Sequence, residues 1–253
     1  PLPPTMPDGR PWPRISLVTP AFNQGAYLEQ ALRSVLLQGY PRLELIVMDG
    51  GSSDGTRAVL ERYSPWLAHW VSQPDNGPAS ALNEGFRHAT GDIYGFLNAD
   101  DFLLDGSLAR VAAEMSAHPE ADVVSGHGYF ASEDGALGMP TYSDRWNFTR
   151  FRYGACVLLQ PATFFRAAAF ERVNGFRERA STVWDMELWA DMAESGARFH
   201  LVDAFMAAFR LHAGSITGGT ENRERRVSDA LAVMERLRGH PENAWDRALH
   251  LVH

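Results

Sequence analysis

Lysine is absent from this chain of 253 residues, in which all 23 basic residues are arginine. That absence removes Schiff-base chemistry and a P-loop lysine from the candidate mechanisms. Cysteine is nearly absent too. Cys156 stands alone, so neither an internal disulfide nor a cysteine-based metal cluster can form, which fits a reducing compartment. No run of 18 apolar residues occurs, so no transmembrane helix is expected, and no signal-peptide pattern opens the chain. It begins on Pro1 rather than Met, as a piece of a longer protein would. Net positive charge is also missing. A formal charge of −8 argues against a nucleic-acid binder that works by neutralising phosphates.

What is present is the composition of a globular protein, 45% hydrophobic and 21% charged, at a length that suits one large α/β domain. Residues 1–13 are proline-rich without apolar periodicity and read as an extended N-terminal tail. Ile15–Thr19 reads as a strand ending at Pro20, and Leu28, Ala31, Leu32, Val35 and Leu36 follow at helical spacing. Leu43–Met48 is an almost unbroken apolar run, as a strand covered on both faces requires. The alternation continues with a helix over 55–63, a strand over 69–72, a helix over 78–88, a strand over 93–97, a helix over 107–118 and a strand over 122–125. Such alternation calls for a mostly parallel sheet with helices on both faces. Ligands of these sheets sit outside the carboxyl ends of the strands. The rhythm then breaks. Residues 126–146 read as a hairpin or loop around Glu133–Gly135, 162–171 as a helix, and 173–176 as a turn. A helix over 185–194, strands over 198–202 and 205–210, and charged helices over 221–238 and 242–252 complete the expectation.

Four polar constellations follow these elements. Asp49-Gly50-Gly51-Ser52-Ser53-Asp54-Gly55-Thr56 closes a strand with an acid and small residues, so backbone can approach a ligand while the acid accepts hydrogen bonds from a base or ribose. Taken alone, a glycine-rich turn with Asp54 or Ser53 capping the next helix explains it better. Asn98-Ala99-Asp100-Asp101 puts two adjacent carboxylates just past an apolar strand. A divalent cation relieves their repulsion, and oxygen ligands suit Mg²⁺ or Mn²⁺; the bland reading is one aspartate capping the helix near Ser107. Asp185 begins a helix with Glu187 close behind, where it can act as a general base or merely complement the helix dipole. Arg210-Leu211-His212 ends a strand, so the imidazole could complete a Mn²⁺ site and Arg210 could face phosphate oxygens. Surface or structural roles are the commoner fate of such residues.

Taken in order, these segments resemble the family-2 glycosyltransferases of the GT-A fold. The resemblance runs through Ser16-Leu17-Val18-Thr19-Pro20-Ala21-Phe22-Asn23, Met48–Thr56, Pro74-Asp75-Asn76-Gly77, Ala81–Gly85 and Leu97–Asp101. It continues with weaker patterns at Gln160–Phe165 and Trp184–Trp189, covering roughly residues 14–215. It implies an α/β GT-A domain over 14–215, with a nucleotide-sugar-binding half (14–125) and an acceptor and catalytic half (126–215), followed by a C-terminal helical extension (216–253).

The resemblance also implies roles. Thr19 and Asp49 hold the nucleotide base, Pro20, Asn23, Asp54 and Asn83 shape the donor site, and Asn98 and Asp100 meet the ribose and diphosphate. Asp100, Asp101 or both hold a divalent cation, Mn²⁺ or Mg²⁺, with His212 as a further ligand. Asp185 deprotonates the acceptor hydroxyl in an inverting transfer from a nucleoside-diphosphate sugar, with uridine the expected base. The acceptor would be a saccharide or glycolipid of surface polysaccharide or glycolipid assembly. No nucleic-acid partner is expected. The location implied is cytoplasmic. The arginine-bearing helix near 223–238 reads as a solvated charged helix, with peripheral contact to the inner membrane face as the alternative. Asn98 departs from the family's D-x-D element, since it brings no charge, and leaves the cation to Asp100 and Asp101. Two other classes stay open: a non-catalytic nucleotide-sugar-binding module of a larger enzyme, and a nucleotidyltransferase on a similar sheet.

Overall fold

The structure, a computed structural model, describes residues 2–178, 182–215 and 223–241. The strands are β1 (Ile15–Ala21), β2 (Leu43–Asp49), β3 (His69–Ser72), β4 (Ile93–Phe96), β5 (Phe102–Leu103), β6 (Val123–Ala131), β7 (Leu137–Thr141), β8 (Thr163–Arg166) and β9 (Phe199–Arg210). The helices are α1 (Leu28–Leu36), α2 (Thr56–Tyr63), α3 (Pro78–Arg87), α4 (Ser107–Ala117), α5 (Phe148–Phe151), α6 (Ala167–Arg172), α7 (Trp184–Glu194) and α8 (Arg223–Arg238). Among the described residues all nine strands join one sheet in the order β3-β2-β1-β4-β8-β6-β9-β5, with β7 paired to β6.

Successive residues of each central strand feed opposite cores, as the two-residue period of a strand dictates. Leu17, Leu45, Val124 and Phe164 pack with Leu32 of α1, Leu60 of α2 and Val111 of α4. Their neighbours Val18, Ile46, Val123 and Phe165 pack on the other face with Phe86 of α3, Phe170 of α6 and Trp189 of α7. Burial on both sides is why these strands read as unbroken apolar runs rather than alternating ones. Each fully buried side chain of this kind contributes about 1.5–3 kcal/mol. The layers are tight. A Cβ on Gly85 of α3 would stand 2.4 Å from Cγ1 of Val18 in β1, so the helix can lie at this distance only through glycine.

Strand direction decides where ligands can gather. β1 is parallel to β2 and β4, and β2 to β3. β8 runs antiparallel to both β4 and β6, and β9 is parallel to β6. Two reversals restore the original sense, so the carboxyl ends of β1, β2, β4 and β9 share one edge of the sheet. The parallel expectation thus describes the first half of the chain, and the antiparallel pairs come from the second.

Four local expectations need correction or extension. Residues 162–171 are not one helix: Thr163–Arg166 form β8 in mid-sheet, and only Ala167–Arg172 are helical. Phe164 and Phe165 each fill a different core, and that two-sided burial outweighs the helical preference of the alanine-rich stretch after them. The two strands expected over 198–210 are a single β9 whose pairing with β6 shifts register around His127. The N-terminal residues are not an extended tail. They fold back through an isolated bridge between Thr5 and Pro11, and Met6 and Trp12 are buried against the first core. Trp12 Nε1 donates to Pro3 O at 2.8 Å. The 126–146 region is a hairpin of β6 and β7. A helix over 242–252 lies outside the described residues.

Candidate active site

At the carboxyl edge of β1, β2 and β4 lies a cavity of about 780 Å³, within the roughly 300–1,000 Å³ typical of small-molecule sites. Pro20, Gly50, Asp75 and Asn98 line one part of it, and Asp100 and Asp185 reach it as well. The rest of the wall is apolar, built from Phe151 and Leu158, from Trp184 and Trp189 of α7, from Phe209 of β9 and from Met234 of α8.

The Asn98–Asp101 turn is closed by Asp101 N–H donating to Asn98 O at 3.0 Å. Its two aspartates face different ways. Asp100 lines the cavity, and its Oδ2 lies 3.0 Å from Nε2 of His212. Asp101 is 1% exposed and accepts from the Arg210 backbone N–H at 2.8 Å. Its other oxygen has no hydrogen-bond partner among the described residues. Burial, and after it the Asp100 charge, holds the Asp101 carboxyl well above the usual aspartate range. The structure therefore brings Asp100 and His212 together and sets Asp101 behind them. Asn98 is tied to the sheet, since its Nδ2 donates to Gln160 Oε1 at 3.1 Å while Gln160 Nε2 donates to Phe96 O at 2.7 Å.

Arg210 does not face phosphate oxygens. It is 1% exposed, and its guanidinium donates to Asp100 O, Ser132 O, Glu133 O and Gln30 Oε1, using four of its five N–H groups. Tyr27 and Phe102 sit 5.0 and 5.3 Å from the guanidinium carbon. Tyr27 also packs on the His212 ring with centroids 4.5 Å apart. The arginine thus props the turn that carries Asp100.

Asp185 sits in the first turn of α7 and opens on the cavity. Burial raises its carboxyl above the usual aspartate range and the Glu187 charge adds to the rise, although the N–H groups of Met186 and Asp185 oppose it. A carboxylate pushed towards neutrality is a better proton acceptor than an ordinary one.

The remaining expected residues do not line the cavity. Thr19 and Asp49 are each 1% exposed. Asp49 accepts from Ser52 N–H at 3.1 Å, from the Ser72 hydroxyl at 2.6 Å and from the Ser52 hydroxyl. Asn23, held at φ 53°, latches the loop after β1 to the loop after β2: its N–H donates to Ser52 Oγ and its Oδ1 accepts from Ser53 N–H. Asp54 completes the latch by accepting from Gly25 N–H and Thr56 N–H, both at 2.9 Å. Burial pulls its pKa upward, but the Thr56 hydroxyl, which also donates to it, and these two N–H groups win and hold it below the usual value. Asn83 stands away from the cavity and clamps the turn after α6, bonding both N–H and C=O of Phe176. Two cavity residues were missed in the sequence. Asp75 and Gln160 each lay in a motif of the resemblance without a role, and only the fold places Gln160 beside Asn98.

The family model described as "Glycosyl transferase family 2" matches residues 16–173. The chain belongs to this family. Among curated relatives, an uncharacterized glycosyltransferase of Mycobacterium tuberculosis is 33% identical over 168 residues, 65% of this chain and 63% of that protein. A PGL/p-HBAD biosynthesis glycosyltransferase of Mycobacterium bovis is 31% identical over 182 residues, 70% of this chain and 69% of that protein. The chain thus spans under two thirds of the length of the first relative. Among solved structures, S. aureus TarS 1-349 in complex with UDP-GlcNAc aligns with a TM-score of 0.68 at 21% identity, covering 88% of this chain and 65% of that one. Mannosyltransferase PcManGT from Pyrobaculum calidifontis, in complex with GDP-Man and Mn²⁺, aligns with a TM-score of 0.67 at 23% identity, covering 94% and 70%. At such identities the likeness speaks for the fold, which is GT-A. No helix among the described residues is long and apolar enough to cross a membrane.

Proposed function

We propose that this member of glycosyl transferase family 2 is an inverting glycosyltransferase that moves a sugar from a nucleoside-diphosphate donor, uridine-linked, to an acceptor hydroxyl. The observation that carries the reading is one cavity reached by both Asp100, paired with His212, and Asp185. The donor enters over the latched loops after β1 and β2. The acceptor lies against the apolar wall of Trp184, Trp189, Phe151 and Leu158, which suits the apolar part of a glycolipid. Residues 14–125 then form the donor half and 126–215 the acceptor half. The exposed Val227 and Leu231, on a helix that also carries Arg223, Arg225 and Arg226, support peripheral contact with an anionic membrane surface.

Asp185 takes the proton from the acceptor hydroxyl as its oxygen attacks the anomeric carbon, on the face opposite the diphosphate. The bond from that carbon to the diphosphate oxygen breaks, and the configuration inverts. Asp100 and His212 fit a divalent cation: two adjacent ligands of an octahedral ion with bonds of about 2.1 Å stand about 3 Å apart, and their ligand atoms lie 3.0 Å apart. When bound, the cation stabilises charge on the departing diphosphate.

Calorimetric titration with UDP and with GDP, each with and without Mn²⁺, tests the reading on the unaltered chain and on Asp100→Ala. Mn²⁺-dependent binding that the substitution weakens by tenfold or more, about 1.4 kcal/mol, is expected. Failure of both nucleotides to bind the unaltered chain would overturn it.

A further inference from the structure

A second set of metal-ligating side chains lies at the other edge of the sheet. His200 is the second residue of β9 and Arg210 its last; at roughly 3.3 Å per residue they stand about 30 Å apart. Beside His200, the final turn of α4 presents Glu114, and His118 caps its carboxyl end. Ligand atoms of Glu114, His118 and His200 all fall within 4.8 Å of one another. Oε2 of Glu114 lies 3.8 Å from Nε2 of His118 and 3.5 Å from Nε2 of His200.

Two further contacts orient this trio. Arg110, one turn earlier on α4, approaches the other Glu114 oxygen at 3.7 Å, leaving Oε2 to the two imidazoles. Glu120 Oε1 lies 3.3 Å from Nδ1 of His118. With the proton of His118 on Nδ1 and donated to Glu120, the Nε2 lone pair is turned towards Glu114, the carboxylate–histidine arrangement that serves metal ligands. The two rings stack with centroids 3.9 Å apart and a 26° tilt. Two imidazolium cations so placed would repel, whereas two neutral rings can share one cation.

We propose that Glu114, His118 and His200 bind a divalent transition metal of the Zn²⁺ class, separately from the cation at Asp100, and that the ion fastens the end of α4 to the start of β9. Two imidazole nitrogens and one carboxylate oxygen select such an ion over Mg²⁺ or Ca²⁺. Tetrahedral bonds of about 2.0–2.1 Å place neighbouring ligands about 3.3–3.4 Å apart, so Glu114 closes on the ion with shifts of up to about half an ångström, while the stacked imidazoles must turn about their side-chain bonds to aim both nitrogens at it. Water takes the fourth position, and the edge opposite the cavity makes the role structural.

The test is Zn²⁺ titration of the untagged chain, by calorimetry and thermal melting, in saturating Mg²⁺. The unaltered chain and His212→Ala are each expected to bind Zn²⁺ at this cluster, and His118→Ala/His200→Ala to lose that equivalent. A hundredfold excess over Kd should raise Tm by roughly 5–10 °C in the first two and leave the double variant unmoved. Should the double variant fail to fold, His200→Gln replaces it, with the same loss expected. Binding that vanishes in His212→Ala but survives in the double variant, or no Zn²⁺ binding by the unaltered chain, overturns the proposal.

Discussion

Replacing Asp185 by asparagine should make the protein more stable and inactive at once. The carboxyl lies in the first turn of α7, where burial raises its pKa and outweighs the two backbone N–H groups that favour its charge. Between the unfolded and folded pKa values, the folded state keeps a proton that the unfolded state has released. Stability therefore falls as pH rises through that window, and at neutral pH the ionised side chain is a burden on the fold. Each pKa unit of elevation is worth about 1.4 kcal/mol, and each kcal/mol moves Tm by about 2–4 °C in a chain of this size. Asparagine keeps an oxygen for the same N–H groups and removes the charge. It forfeits a helix-dipole term of about 0.3–1 kcal/mol, which already counts among the effects that burial overcomes. Melting at pH 7.5 should thus shift upward by a few degrees, and the gain should shrink as pH falls. Loss of a general base lowers the rate by about 10²–10⁴, or roughly 3–5 kcal/mol, read as release of nucleoside diphosphate in the presence of acceptor. Nucleotide affinity should be unchanged. Undiminished release would refute the base assignment, and a lower Tm at pH 7.5 would refute the burial argument.

Two further substitutions separate neighbours that look alike in sequence. Asp101→Asn keeps an acceptor for the Arg210 N–H and sits outside the cavity, so Mn²⁺-dependent UDP affinity should stay within about threefold, roughly 0.7 kcal/mol; a tenfold loss would return Asp101 to the cation. Arg210→Met leaves Asp100 O, Ser132 O, Glu133 O and Gln30 Oε1 without their donor, which should lower unfolding free energy by about 3–5 kcal/mol in urea titrations. A loss under about 1 kcal/mol would show that the guanidinium is not the prop it looks to be.

Much of the sheet was legible because its strands are buried on both faces. Leu43–Met48 could be little else, and the polar clusters after β1, β2 and β4 share an edge because parallel pairing puts them there. Thr163–Arg166 were misread because their strand character comes from partners far along the chain, Ile93–Gly95 and Val123–Ser125. The site was legible as chemistry but not as assignment. Asp100 and Asp101 are adjacent in sequence, and only contacts with His212 and the Arg210 backbone, more than a hundred residues on, give them opposite environments. Asn23 and Asp54 were visible as polar loop residues. That they bond across the gap to one another's loops, and so make one rigid platform of two, is long-range geometry with no local pattern.

The grip of Arg210 on the hairpin between β6 and β7 runs through the main-chain oxygens of Ser132 and Glu133. Such a contact does not itself read the side chains of those two positions, although Glu133 also accepts from the Tyr27 hydroxyl and Gly135, at φ 87°, leaves no room for a side chain beside Gln30. The contact is not indifferent to loop length. One residue inserted between Ala131 and Glu133 would slide the carbonyls off the guanidinium and loosen the backbone under Asp100. Relatives should therefore tolerate substitution of Ser132 far better than a length change or a side chain at position 135, which makes the tip a poor place to graft a tag or a foreign loop.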